Sequence, residues 1–172
     1  MSIFGELYGV DQRGALQFFF TGLKDIIPKQ GELTTKETLY VASVLAHFSQ
    51  TSRCADRSMP TLAGLAEFFD CFVLSQIDPQ DAETLEVAGA QSLLFAGFFG
   101  DQMERRHNLN WFNSVGRSFY ERAGHQTQSI QRKTLLWLMA SHFSAWTRFL
   151  RYFSRNLRER PYLINLPGSL ES

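Results

Sequence analysis

Among the side chains able to carry chemistry, one arrangement stands above background. Arg148, Arg151, Arg155 and Arg158 fall within about 80° of one another when their segment is laid on a helix. Arg105, Arg106, Arg117 and Arg122 second them. Guanidinium groups so spaced bind phosphates or acidic lipid, because each presents a planar donor fork and each contact releases counterions. The interleaved Phe149, Tyr152 and Phe153 suit a membrane surface or stacking on bases. An internal reading competes with this one. Residues 1 to 103 hold 6 Lys or Arg against 13 Asp or Glu, and residues 104 to 172 hold 11 against 4. The arginines therefore have acidic partners within the chain or in a second subunit, and that is the reading we favour.

Other chemistries find less support. His47, His107, His125 and His142 fall on different expected helices or turns, and none belongs to a Glu-x-x-His or His-x-x-x-His pair. No metal and no cofactor are expected. Cys54 and Cys71 have no identifiable histidine partner, there is no Gly-x-Ser-x-Gly elbow, and the glycines match neither phosphate-binding fingerprint. Glu67 with Asp70, and Asp78 with Asp81, read as solvated or capping carboxylates. Catalytic residues therefore remain unknown.

The element that must position any site is the segment Thr84 to Glu104. Gly89, Leu93, Ala96, Gly97 and Gly100 recur on one side of it, while Val87, Leu94 and Phe98 cover the other and Phe95 and Phe99 the flank. A helix apolar nearly all round is a buried one. Gln91, Ser92 and Asp101 make it too broken to span a membrane. Each interior glycine costs a helix about 1 kcal/mol relative to alanine, so close approach by a neighbour must offset the loss. A ligand in the groove the glycines leave is the functional alternative, with Tyr40, His47, Gly89, Gly97, Trp111 and Tyr120 as its candidate lining.

Around this rod the spacing predicts an amphipathic helix from Asp11 to Pro28, with Phe18 turned toward solvent or a partner. Thr34 and Glu37 form a capping box that starts a second helix. Residues 49 to 60 read as a loop, and a third helix follows Pro60. A fifth runs from Trp111 to Ala123 with Gly124 as its C′ residue, and a last, longest one from about Thr127 to about Arg158. Residues 1 to 10 and the end of the tail beyond Tyr162 are expected to be irregular, the first part of the tail docking as extended chain.

At 172 residues, with 44% hydrophobic and 14% aromatic content, the chain can bury a phenylalanine-rich core as one domain over residues 1–172. A net charge of zero argues against a nucleic-acid scavenger or an acidic chaperone. Scarce cysteine, the lack of a signal-like N-terminus and the lack of a spanning segment point to a cytoplasmic protein.

Gly89, Leu93, Gly97, Phe99, the pair Trp111 and Phe112, Gly116 and Tyr120 follow a loose pattern, Gly-Asp-x-x-Leu-Phe-x-x-Gly-x-Phe, then an aromatic pair, then Gly-x-x-x-Tyr. In this the chain resembles a family of uncharacterised bacterial helical proteins. The stretch Tyr40 to Phe48 is similar to an earlier block of that family. The chain departs from the pattern at Ala90, where the family tends to carry aspartate, and at Trp111–Phe112, where it tends to carry two tyrosines. The resemblance implies an all-helical fold and no established activity.

The expectations are therefore an all-α irregular or orthogonal bundle of about six helices around a buried central helix, and an interaction or adaptor protein, with a homodimer as one form of it. Its surface would comprise Arg148, Arg151, Tyr152, Arg155 and Arg158. The alternatives are a small-ligand pocket or enzyme site beside the Gly89/Gly97/Gly100 face, and nucleic-acid binding through the arginines.

Overall fold

A computed structural model of the chain describes residues 12–54, 81–105 and 108–159, and every regular element among them is helical. The fold is an all-α bundle, as the periodicity predicts. The expected helix after Pro60 with its Cys71, the stretch 1 to 10, His107 and the tail from Tyr162 lie outside the described residues.

Helix α1 spans Gln12–Ile26 and buries Ala15, Phe19 and Leu23. Helix α2, Thr35–Cys54, packs against it and buries Val41, Ala42, Leu45 and Ala46. The capping box forms: the Thr34 amide donates to Glu37 Oε2 at 2.8 Å, and the Glu37 amide donates to Thr34 Oγ1 at 3.2 Å. Residues 49 to 54, expected to open a loop, continue α2 instead. Ser49 there is buried and returns its hydroxyl to the Ala46 carbonyl at 2.7 Å, so a polar side chain is satisfied without leaving the helix.

The rod expected over Thr84 to Glu104 is buried but not continuous. Helix α3, Ala82–Leu93, begins where Asp81 accepts from the Thr84 amide and hydroxyl at 3.0 and 2.7 Å. It then widens into a π-helical turn over Leu94–Phe98, bends at Phe99 (φ −98°, ψ 12°) and resumes as α4, Gly100–Glu104. The Phe99 amide closes the wide turn on the Leu94 carbonyl at 2.8 Å. Every residue from Ser92 to Gly100 is buried, whereas Val87, expected on a covered side, is 44% exposed. The first turns of α3 lie at the edge of the bundle, and only its end enters the centre.

Helix α5, Leu109–Gln126, lies along α3, and α6, Ile130–Ser141, lies along α5. Gly124 is not a terminator: it sits inside α5, buried, with Trp137 Nε1 2.5 Å from where a Cβ would be. The space left by the missing side chain, rather than a left-handed turn, is what that glycine supplies. The long final helix is likewise two helices, α6 and α7, Phe143–Glu159, meeting at His142 (φ −98°, ψ 13°). Hydrogen bonding crosses the bend, with the His142 amide on the Leu138 carbonyl and the Trp146 amide on the His142 carbonyl, both at 2.9 Å. A straight rod of that length would be about 45 Å long. Bending lets its first half cover α5 and its second half cover the π-turn.

The glycines are where helices touch. A methyl group at Gly97 would lie 2.9 Å from Leu150 Cβ on α7, and one at Gly116 would lie 2.3 Å from Phe143 Cζ and 2.8 Å from Ser92 Cβ. One at Gly100 would meet only the flexible Arg151 side chain, at 3.1 Å. Gly116→Ala is therefore expected to lower unfolding free energy by about 1–3 kcal/mol through overpacking, despite the roughly 1 kcal/mol gained in helix propensity. Gly100→Ala should be near neutral or stabilising. Urea unfolding of the two variants checks the ordering, and equal stabilisation by both would show that Gly116 is not a contact point.

Candidate functional site

One group of described polar side chains converges along a seam between α2 and the helices it covers. Its deeper part is built on Glu37. This residue is fully buried, and its Oε2 is already held by the Thr34 amide and, at 2.9 Å, by the Thr34 hydroxyl. The other oxygen, Oε1, lies 2.7 Å from His142 Nδ1 and accepts from Trp146 Nε1 at 3.3 Å. A capping residue of α2 is thus also the anchor for the α6–α7 bend and for the first turn of α7. With hydrogen on Nδ1 the imidazole presents Nε2 outward, 3.9 Å from Glu32 Oε2, and the His142 side chain keeps 18% exposure.

One turn further along α2, Tyr40 meets Tyr120 of α5. Their hydroxyls lie 3.3 Å apart and share a hydrogen bond, and their rings meet edge to face at 6.1 Å. The Glu86 carboxylate of α3 lies close enough to act on the Tyr40 phenol electrostatically. It is held in turn by a two-pronged contact from Arg132 of α6, Nε to Oε2 at 3.0 Å and Nη2 to Oε1 at 2.6 Å. Burial pushes both phenols above the usual tyrosine range, with Tyr120 and then Glu86 adding to the rise at Tyr40. Both hydroxyls stay protonated and serve as hydrogen-bonding groups.

Of the six candidate pocket residues, Tyr40, Tyr120 and Gly89 come together, and Gly97, His47 and Trp111 do not join them. Gly89 is closed by the Tyr120 ring, whose atoms would lie 3.1 Å from a Cβ, and Gly97 by Leu150. The groove imagined beside these glycines is filled with protein, because the close approach that offsets their helix cost also consumes the space. His47 faces outward from α2, and Trp111 is 42% exposed with its ring against Phe112 at 5.0 Å. Among the described residues, no group of three or more His, Cys, Asp or Glu is placed to hold a metal ion.

Two arginines of the stripe are engaged by carboxylates of the chain. Arg151 Nε donates to Asp101 Oδ1 at 2.7 Å, and its Nη2 pairs with Glu104. Arg155 grips the same Asp101 through Nε and Nη2 at 2.7 and 2.6 Å. Hydrogen bonds from Arg155, and then from Arg151, hold the Asp101 carboxyl well below the usual range against the opposing effect of burial. Arg148 and Tyr152 remain exposed on α7, and Arg158 lies in its last turn.

No family model, curated protein or solved structure matches the chain. The site must therefore be read from its own chemistry. An imidazole oriented by a buried carboxyl is the arrangement that positions a histidine for proton transfer or ligation. Here every bond to that carboxyl comes from inside the chain, as in a tie between helices.

Sequence reasoning missed His142, Trp146, Glu86 and Arg132. One signal was available: His142 is a polar interruption inside the apolar stretch from Leu136 to Trp146.

Two predictions follow from these geometries. Glu37→Gln should cost about 1–3 kcal/mol, because a side-chain amide cannot accept from all four donors at once. A double-mutant cycle with His142→Ala should show coupling above about 0.5 kcal/mol, and strict additivity in urea unfolding would break the proposed link. For Asp101 the folded carboxyl titrates below its unfolded value. Its stabilisation is therefore complete above an unfolded value of about 3.9 and is lost as pH falls through the folded one. Asp101→Asn should lower stability at neutral pH by roughly 1–2 kcal/mol and flatten the acid limb of the stability curve. An unchanged acid limb in a pH series of thermal melts would contradict it.

Proposed function

We propose that the chain is a helical interaction protein that self-associates, with the outer face of α6 at the centre of the contact. The observation that carries this reading is the pair Ile130 and Trp137, which are 78% and 43% exposed. Seven residues apart, they fall on one side of α6. Trp137 is also held in place. Its indole covers Gly124, the His125 ring meets it at 5.6 Å, and Lys133 Nζ stands 5.8 Å from its centroid. A large aromatic fixed on one edge and flanked by a lysine is the kind of anchor that dominates binding energy in protein contacts.

This reading moves the contact surface from α7 to α6. Arg151 and Arg155 are engaged by Asp101 and Glu104, which leaves Arg148 and Tyr152 as an outlying part of the surface. The same engagement weakens nucleic-acid binding as an account of the stripe, because two of its guanidinium groups already have carboxylate partners. No described helix is long and apolar enough to cross a membrane. With only two cysteines in the chain, a reducing cytoplasm is the setting we propose.

Light scattering after size exclusion at micromolar protein should give about twice the 19.7 kDa chain mass. Ile130→Lys alters an exposed residue and should return the chain to monomer with an unchanged melting temperature. A monomeric wild type, or a dimer indifferent to Ile130→Lys and Trp137→Ala, would overturn the proposal.

A further inference from the structure

A second surface stands apart from both the polar seam and the α6 face. Between α1 and α7 lies an open groove of about 530 Å³, within the range of roughly 300–1,000 Å³ typical of small-molecule sites. Its walls are apolar: Phe18 and Ile26 on α1 face Phe153 and Leu157 on α7. Phe18, which the helical pattern turns away from the core stripe of α1 toward solvent or a partner, is instead half-buried and packs against the core, its ring edge to face with Phe19 at 5.3 Å. Phe153 is fixed as well, with its ring pressed on Gly22, where a Cβ would lie 2.7 Å from Cε2. The trough is thus shaped by rings that cannot readily swing to fill it.

Polar side chains border it on both walls, Asn156 on α7 and three residues on α1. Gln17, Thr21 and Asp25 follow one another at four-residue spacing along α1 and border the trough. Asp25 brings the lining its one ionisable group, and no described side chain pairs with it by hydrogen bond or ion pair. It also sits in the last turn of α1, where the helix dipole is negative. Lys24, the neighbouring cation, is turned away over the Phe20 ring at 5.4 Å. The end of the groove at Asp25 is therefore electronegative, and the rest of the lining carries no ionisable side chain.

From this we infer that the α1–α7 groove binds an elongated apolar molecule bearing a protonated amine, the hydrocarbon lying against Phe18, Phe153 and Leu157 and the ammonium group meeting Asp25. The complementarity is of two kinds. The walls remove apolar surface from water, and the carboxylate selects the sign of the head group. An alkyl carboxylate of the same length would place like charges together.

Decylamine, decanol and decanoate, each below its micelle threshold, supply the test on the full chain, with binding followed by amide chemical shifts. Decylamine should bind saturably, shift amides of residues 14–26 and 153–157, and bind at least fivefold more tightly than decanol, with decanoate weakest. Asp25→Asn should bring decylamine to the level of decanol without altering the melting temperature, and Phe18→Ala should weaken both. Absence of saturable shifts in the full chain, binding of decanoate as tight as decylamine, or an Asp25→Asn variant that retains the preference would each overturn the inference. Shifts confined to α6 would assign the ligand to the self-association face and overturn it equally.

Discussion

The structure depends on how closely α3 and its π-turn approach α5 and α7. At Gly116 the Phe143 ring occupies the place of a side chain, at Gly97 the Leu150 Cβ does, and at Gly89 the Tyr120 ring does. Each contact exchanges intrinsic helix stability for dispersion with a large neighbour. The contacts also fix where large side chains go. Tyr120 reaches Tyr40 because Gly89 leaves room for its ring, and Phe143 can begin α7 against α5 because Gly116 is bare.

Upon this apolar framework the α1–α2 hairpin is placed by polar bonds as well as by burial. Glu37 is the clearest case, since a buried carboxyl is tolerated only when its lone pairs are filled. Two of its donors are local, in Thr34, and two come from residues more than a hundred positions away, His142 and Trp146. The local pair starts α2 and the remote pair sets its register against the α6–α7 bend. Tyr40 repeats the pattern one turn on through Tyr120, and close by Arg132 of α6 holds Glu86 of α3. Because such bonds are directional, they select one docking of the hairpin where apolar contact alone would accept several.

The surfaces left over differ in character. On α7, Arg151 and Arg155 spend their charge on Asp101 and Glu104, which binds the short α4 to the helix it crosses. On α6, Ile130 and Trp137 stay exposed. Between α1 and α7 a trough with apolar walls ends at a carboxylate that no described side chain pairs with. These two faces, and not the arginine stripe, carry the functional readings.

By itself the sequence determined the local features: the capping box at Thr34 and Glu37, the apolar stripe of α1 and the all-round apolar centre of the chain. Each is set by residues within a turn or two, where period and side-chain chemistry decide the outcome. The division of charge between the two parts of the chain also foretold carboxylate partners for the arginines. Periodicity could not reveal the bends at Phe99 and His142, since both residues keep near-helical backbone and their segments carry no proline. The passage of α5 through Gly124 was hidden too, because a terminating glycine and a packing glycine are written alike. Only the tertiary structure decided that the glycine stripe is filled rather than open, that Glu37 meets His142 and Trp146, and that Arg151 and Arg155 share one aspartate. Those outcomes rest on distances between residues 50 to more than 100 positions apart, and such distances follow from how large side chains share the interior.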